Sequence, residues 1–246
     1  MALQELDGDP GRPDRIRVAQ AWAVHALTAS GAVLGFLALA ATLEGDLVAA
    51  FLWLFAALAV DGVDGTLARR VGVREATPQV DGAALDNVID YFNYVAVPTL
   101  MLHQHGFLPA GWETPASALV MGASCWTFAN AQAKSSDAWF VGFPATWNLV
   151  VLAFLVLGTG PWLNLGVVAL CAALTFVPWK YCHPFRVRAF RAVTLPVTAA
   201  WGAATLWLLL GGPAREAAQA VWLATAGWFA VLTAWRSLRE DPPSRP

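Results

Sequence analysis

Apolar stretches follow one another almost without pause along this 246-residue chain, near 21–43, 47–70, 82–103, 116–132, 144–158, 162–179, 192–210 and 216–235. A bilayer core of about 30 Å is crossed by roughly 20 such residues in a helix. Lipid offers no partner for unpaired backbone groups, so each stretch is predicted to be helical. With 58% hydrophobic and 13% charged residues and a mean hydropathy of +0.54, the chain is too apolar for a soluble domain of this length. The expected fold is an all-α, polytopic transmembrane bundle of about eight helices, forming one integral membrane domain over 1–246. Only Gly158-Thr159-Gly160-Pro161 separates the fifth and sixth stretches. That spacing equally fits one kinked or re-entrant element, with six helices as the alternative.

Basic residues give the expected orientation. On the eight-helix map with a cytoplasmic N-terminus, 14 of the 15 Lys and Arg residues fall inside and only Arg215 falls outside. Both termini are therefore expected in the cytoplasm. The segment 12–22 mixes basic and apolar residues and reads as a short amphipathic stretch at the membrane surface. Its surroundings do not resemble a cleaved leader, so the first span is expected to be retained. The tail 240–246 is expected to fray. Cys125, Cys171 and Cys182 lack paired metal-ligand spacing and read as packing residues. His103 and His105 form a pair with no further ligand nearby, and no nucleic-acid partner is expected.

Against this apolar background, four carboxylates fall within thirty residues at helical spacing: Asp61, Asp64, Asp86 and Asp90. With Asp61 at zero on a helical wheel, Asp64 lies at about −60°, Gly65 at about +40°, Ala68 at about −20° and Arg69 at about +80°. On the next helix Gly82, Asp86 and Asp90 advance by about 40° each and form a stripe. The two helices are consecutive and joined by the predicted cytoplasmic loop 71–81, so the two faces can meet. Crowded carboxylates losing hydration repel one another unless protons or cations offset them. An all-oxygen set suits hard divalent cations such as Mg²⁺ or Mn²⁺, and a two-metal site is expected. Gly65, Ala68 and Gly82 leave room for a base, sugar or phosphate near the backbone, although small residues also let membrane helices pack closely.

The pattern Asp61-x-x-Asp64-Gly65-x-x-Ala68-Arg69, followed by Gly82-x-x-x-Asp86-x-x-x-Asp90, resembles the signature of the CDP-alcohol phosphotransferases. These are membrane enzymes that move a phosphatidyl-type group from a CDP-linked donor to an alcohol. Twelve residues separate Arg69 from Gly82, where most members have eight. That longer gap is similar to the bacterial subgroup that joins choline to CDP-diacylglycerol. The segments 21–31, 86–91, 131–134, 142–148 and 176–181 resemble the same subgroup.

The resemblance implies that Asp61, Asp64 and Asp86 are metal ligands, with Asp90 close to the metals and acting as base. It implies that Gly65, Ala68, Arg69 and Gly82 line the cytidine and pyrophosphate site, with Mn²⁺ (or Mg²⁺), two ions, as cofactor. CDP-diacylglycerol and choline are the expected substrates, in the bacterial inner membrane with the site facing the cytoplasm. Homodimers are common in families of this kind.

A permanent cation is recognised by aromatic faces, for which Tyr91, Tyr94, Trp126, Trp139, Phe143 and Trp147 are candidates. Ordinary packing and interfacial belts also use such residues. Lys180, Arg186, Arg188 and Arg191 are candidates for a lipid phosphate, alongside Arg74 and Lys134 on the same side. Serine, inositol or glycerol phosphate as acceptor, and cation transport, are the competing expectations. Transport calls for charges near the bilayer midplane, whereas Asp61 to Arg69 are expected near a cytoplasmic helix end.

Overall fold

The computed structural model describes residues 14–185 and 187–239. The expected frayed tail 240–246, Arg12 and the lipid-phosphate candidate Arg186 lie outside the described residues. Helix α1 spans Arg15–Leu43, with the Asp14 carboxylate accepting from the Ile16 amide at its start. The basic-apolar residues 15–22 are thus the first turns of one 29-residue helix and run straight into the span. Helix α2, Leu47–Val71, is capped by Asp46 through the Ala49 amide at 2.9 Å. It ends at Gly72, whose φ of +68° is a left-handed conformation that a side chain resists. Arg17 fastens this end from α1, donating to the carbonyls of Val71 and Gly72 at 2.8 and 3.2 Å.

After the short helix α3, Val73–Ala76, Asp81 accepts from the amides of Ala83 and Ala84 and starts α4, Gly82–Tyr91. A π-helical turn, Phe92–Ala96, joins α4 to α5, Val97–Gln104, so the three pieces of 10, 5 and 8 residues make one rod. Pro98 explains the widened turn: it has no amide to give the Tyr94 carbonyl and its ring crowds that group in a regular α-helix. Beside it, Asn93 packs its side chain against Gly35 of α1, where any β-carbon would overlap the amide oxygen.

Helices α6 (Glu113–Ala129), α7 (Trp147–Leu157), α8 (Pro161–Leu174), α9 (Arg191–Leu209) and α10 (Arg215–Ser237) follow. Two-residue strands β1, Phe140–Val141, and β2, Lys180–Tyr181, pair antiparallel and tie the loop before α7 to the loop after α8. Helices α7 and α8 are separate elements divided by left-handed Gly158. The stretch that the sequence leaves open between two spans and one kinked element is thus two helices of 11 and 14 residues.

Among the described residues, four helices (α1, α2, α9 and α10) are long and apolar enough to cross a bilayer, while α7 and α8 are shorter at 11 and 14 residues. Helix α1 packs along α2, and α9 along α10. Phe51, Leu54, Val95, Met101, Leu102, Val120, Trp147 and Leu152 form the centre of the core. Phe36, Trp162, Leu163, Leu170, Leu210 and Val231 are largely exposed. In a membrane protein such a surface is where acyl chains lie.

Candidate active site

Helices α2 and α4 bring Asp61, Asp86 and Asp90 together: each offers an oxygen, and all three oxygens lie within 4.8 Å of one another. The stripe on α4 arises from its four-residue step, and its direction is fixed by the Asp81 cap at the first turn. Asp64 is buried, 5% exposed, one turn further along α2. It lies within electrostatic range of Asp90 but outside the tight group of three.

The same α4 stripe runs on to Tyr94, whose hydroxyl donates to Asp61 Oδ2 at 2.8 Å. Sequence reasoning treated Tyr94 only as an aromatic face. Its position four residues after Asp90 was the available signal for this contact. A hydrogen bond of this kind orients a metal-ligating carboxylate.

Around the acids the motif residues separate. Gly82 is the first residue of α4, and a β-carbon there would meet His25 Cε1 at 3.6 Å. His25 is 7% exposed and bonded through Nε2 to the Thr77 hydroxyl at 2.9 Å. Thr77 donates its own proton to the Val73 carbonyl, so His25 is the donor of the pair. Gly65 is half-buried on α2. Ala68 packs against Ala21, Val24, Val73 and Ala76. Arg69 is exposed, donates to the Thr66 hydroxyl at 3.1 Å, and lines an open depression of about 580 Å³ with Arg17, Arg70 and Glu75.

The aromatic candidates are dispersed. Tyr91 donates to the Met121 carbonyl at 3.2 Å and packs edge-on against Phe128. Trp126 is 57% exposed beside Phe176. Trp147 has no exposed surface and donates its indole N–H to Ser124, a core position, with Phe143 packed edge-on against it. Trp139 is buried with Val187 and Leu232. Among the basic candidates Lys180 sits in β2, while Arg188 and Arg191 are exposed. His105 bonds the Thr42 carbonyl at 2.9 Å at the opposite end of α1. The three cysteines are free thiols.

The acidic group contains oxygen donors and no Cys or His, a set that fits a hard divalent cation. Such a set, on α2 and α4 with small residues alongside, suits a divalent cation that carries a phosphate-bearing ligand. The profile of the CDP-alcohol phosphatidyltransferase family matches residues 23–179, well over half of the chain, and the chain belongs to that family. A phosphatidylcholine synthase of Pseudomonas aeruginosa is 43% identical over 226 residues, covering 92% of this chain and 95% of the relative. One of Mesorhizobium japonicum is 42% identical over 183 residues, 74% of this chain and 68% of the relative. One of Rhizobium johnstonii is 36% identical over 216 residues, 87% and 89% of the two chains.

Proposed function

We propose that this enzyme condenses choline with CDP-diacylglycerol to give phosphatidylcholine and CMP. The reaction type rests on the three carboxylates of α2 and α4 held within 4.8 Å, in a chain of this family. The choice of choline rests on the likeness to relatives named phosphatidylcholine synthase over most of the chain.

Asp61, Asp64, Asp86 and Asp90 are the proposed holders of two Mn²⁺ or Mg²⁺ ions. When bound, such ions neutralise the pyrophosphate and stabilise the charge gathering on the departing CMP. Asp90 takes the proton of the choline hydroxyl, which is too weakly acidic to react unaided at neutral pH. The choline oxygen then bonds to the phosphorus bearing diacylglycerol as the bond from that phosphorus to CMP breaks. Tyr94 fixes the direction of Asp61 through its 2.8 Å hydrogen bond. Gly65, Ala68, Arg69 and Gly82 line the nucleotide site in this reading.

For the quaternary ammonium, Tyr94 is the best supported of the aromatic candidates because its hydroxyl already reaches the acids, with Tyr91 one turn before it and Trp126 on α6. Lys180, Arg188 and Arg191 are offered to lipid phosphate. The proposed setting is the bacterial inner membrane, both termini and the site on the cytoplasmic side, with one membrane domain in each subunit of a homodimer.

The test is CMP release by purified protein from CDP-diacylglycerol with Mn²⁺, comparing choline, serine, inositol, glycerol 3-phosphate and no acceptor. Release with choline alone, with phosphatidylcholine as product, is expected. Release with another alcohol alone would keep the chemistry and overturn the acceptor.

A further inference from the structure

The loop between α6 and α7 is held in an unusual way. Two alanines, Ala138 and Ala145, adopt left-handed backbone conformations with φ of +67° and +54°, which non-glycine residues hold only when their surroundings over-determine them. Those surroundings are specific. Ser135 N–H donates to the Trp139 carbonyl at 2.8 Å, and Val141 N–H to the Ala133 carbonyl at 2.9 Å. The Ser135 hydroxyl donates to Asp137 Oδ1 at 2.6 Å. Arg236, near the end of α10 and 4% exposed, grips Asp137 with two hydrogen bonds of 3.0 and 3.3 Å. Trp139 is buried against Val187 and Leu232, and the adjoining strand is joined to α10 because Lys180 N–H donates to the Ser237 hydroxyl at 2.8 Å.

Among the described residues of this clamp, Lys134 presents a cation at the surface. Lys134 is exposed, and its ammonium lies 5.6 Å from the centre of the Phe140 ring, which is backed by stacked His183. Among the described residues no carboxylate is within ion-pair distance of Lys134, yet the residue is within electrostatic range of Asp90. A lysine with no carboxylate partner among the described residues, shelved on an aromatic ring and within electrostatic range of the acidic group, is placed for an anion that binds beside that group.

We infer that Lys134 binds the anionic pyrophosphate of the CDP-linked donor, and that the Arg236–Asp137 pair is the device that positions it. The inference rests on the proposed reaction and gives the last helix a part in it. Lys134 contacts substrate; Arg236 is a positioning residue.

The experiment uses full-length protein in neutral detergent micelles, so that CDP-diacylglycerol is the sole anionic lipid. K134A is expected to raise KM for CDP-diacylglycerol roughly tenfold to a hundredfold and to leave the choline KM within about twofold. K134R is expected to restore most of the loss. Water-soluble CDP, titrated against intrinsic Trp fluorescence, should bind correspondingly weakly to K134A. R236M should move the donor KM in the same direction and R236K less. An unchanged donor KM in K134A, with the wild type active on choline, overturns the inference and leaves the proposed function standing. A wild type inactive with choline overturns that reading instead, and CDP affinity in K134A still decides the role of Lys134. A folded R236M with normal donor KM removes the positioning role; if R236M does not fold, D137N is scored by the same criterion.

Discussion

Two regions of this molecule bring charge into an apolar bundle in opposite ways. On α2 and α4 three carboxylates crowd within 4.8 Å. At the end of α10 one buried guanidinium meets one carboxylate, Arg236 on Asp137, in matched hydrogen bonds. A matched pair is electrically complete and serves the architecture. A crowd of like charges persists only when cations or protons offset it, which is why it is the place proposed for the chemistry. The difference separates function from scaffold more sharply than the presence of charge alone.

The largest effect expected is at Asp90. Asp90→Asn should lower turnover by about 10²–10⁴-fold while CDP binding stays near that of the wild type. Turnover close to wild type would remove Asp90 as the base. Next comes the support of the acids: Tyr94→Phe should weaken Mn²⁺ binding about tenfold to a hundredfold, and Asp61→Asn should weaken it at least as much. Counting free Mn²⁺ by electron paramagnetic resonance checks both, and a superimposable titration would detach Tyr94 from the metal site.

On the scaffold side the two halves of the ion pair should differ. Asp137→Ala leaves a buried arginine, 5% exposed in its side chain, without its carboxylate. It should cost about 2–4 kcal/mol of stability. Arg236→Met leaves only a one-third-exposed carboxylate that water can reach, and should cost about 1 kcal/mol, after discounting for solvent screening. Denaturant midpoints in detergent measure this, and equal losses would contradict the asymmetry.

The smallest effect is in pH. Burial pushes the Asp137 carboxyl up, but hydrogen bonds from Arg236 and Ser135 outweigh it and hold the group below the ordinary carboxylate range. Because the folded value lies below the unfolded one, the contribution of the pair is complete above the unfolded value and fades as pH falls through the folded one. Acid unfolding of Arg236→Met should therefore be flatter than that of the wild type over this interval.

Much of this division is legible from residues alone. The second and third apolar stretches, expected near 47–70 and 82–103, are observed as Leu47–Val71 and as the rod from Gly82 to Gln104. Apolar length and Asp caps act locally, and Asp46 and Asp81 each stand beside the amides they cap. The periodicity of Asp86 and Asp90 likewise gives their shared face without knowledge of neighbours. Less legible was Asp64, which a wheel puts on the face of Asp61 but which lies outside the group of three. A wheel gives direction about one axis and says nothing of how two axes meet. Trp147 illustrates the same limit: a tryptophan near a site is equally a ligand face or core, and only its contact with Ser124 and its complete burial distinguish the two.

The sequence by itself determined the membrane architecture and the chemistry available, because hydrophobic length, helical period and a short-range signature are properties of contiguous residues. The tertiary structure alone decided which groups touch: Tyr94 with Asp61, His25 with Thr77, and Arg236 with Asp137, separated by 33, 52 and 99 positions. Such contacts depend on how helices dock and how loops close between them: a local pattern puts Tyr94 on the acidic face, but it does not name the partner it meets there.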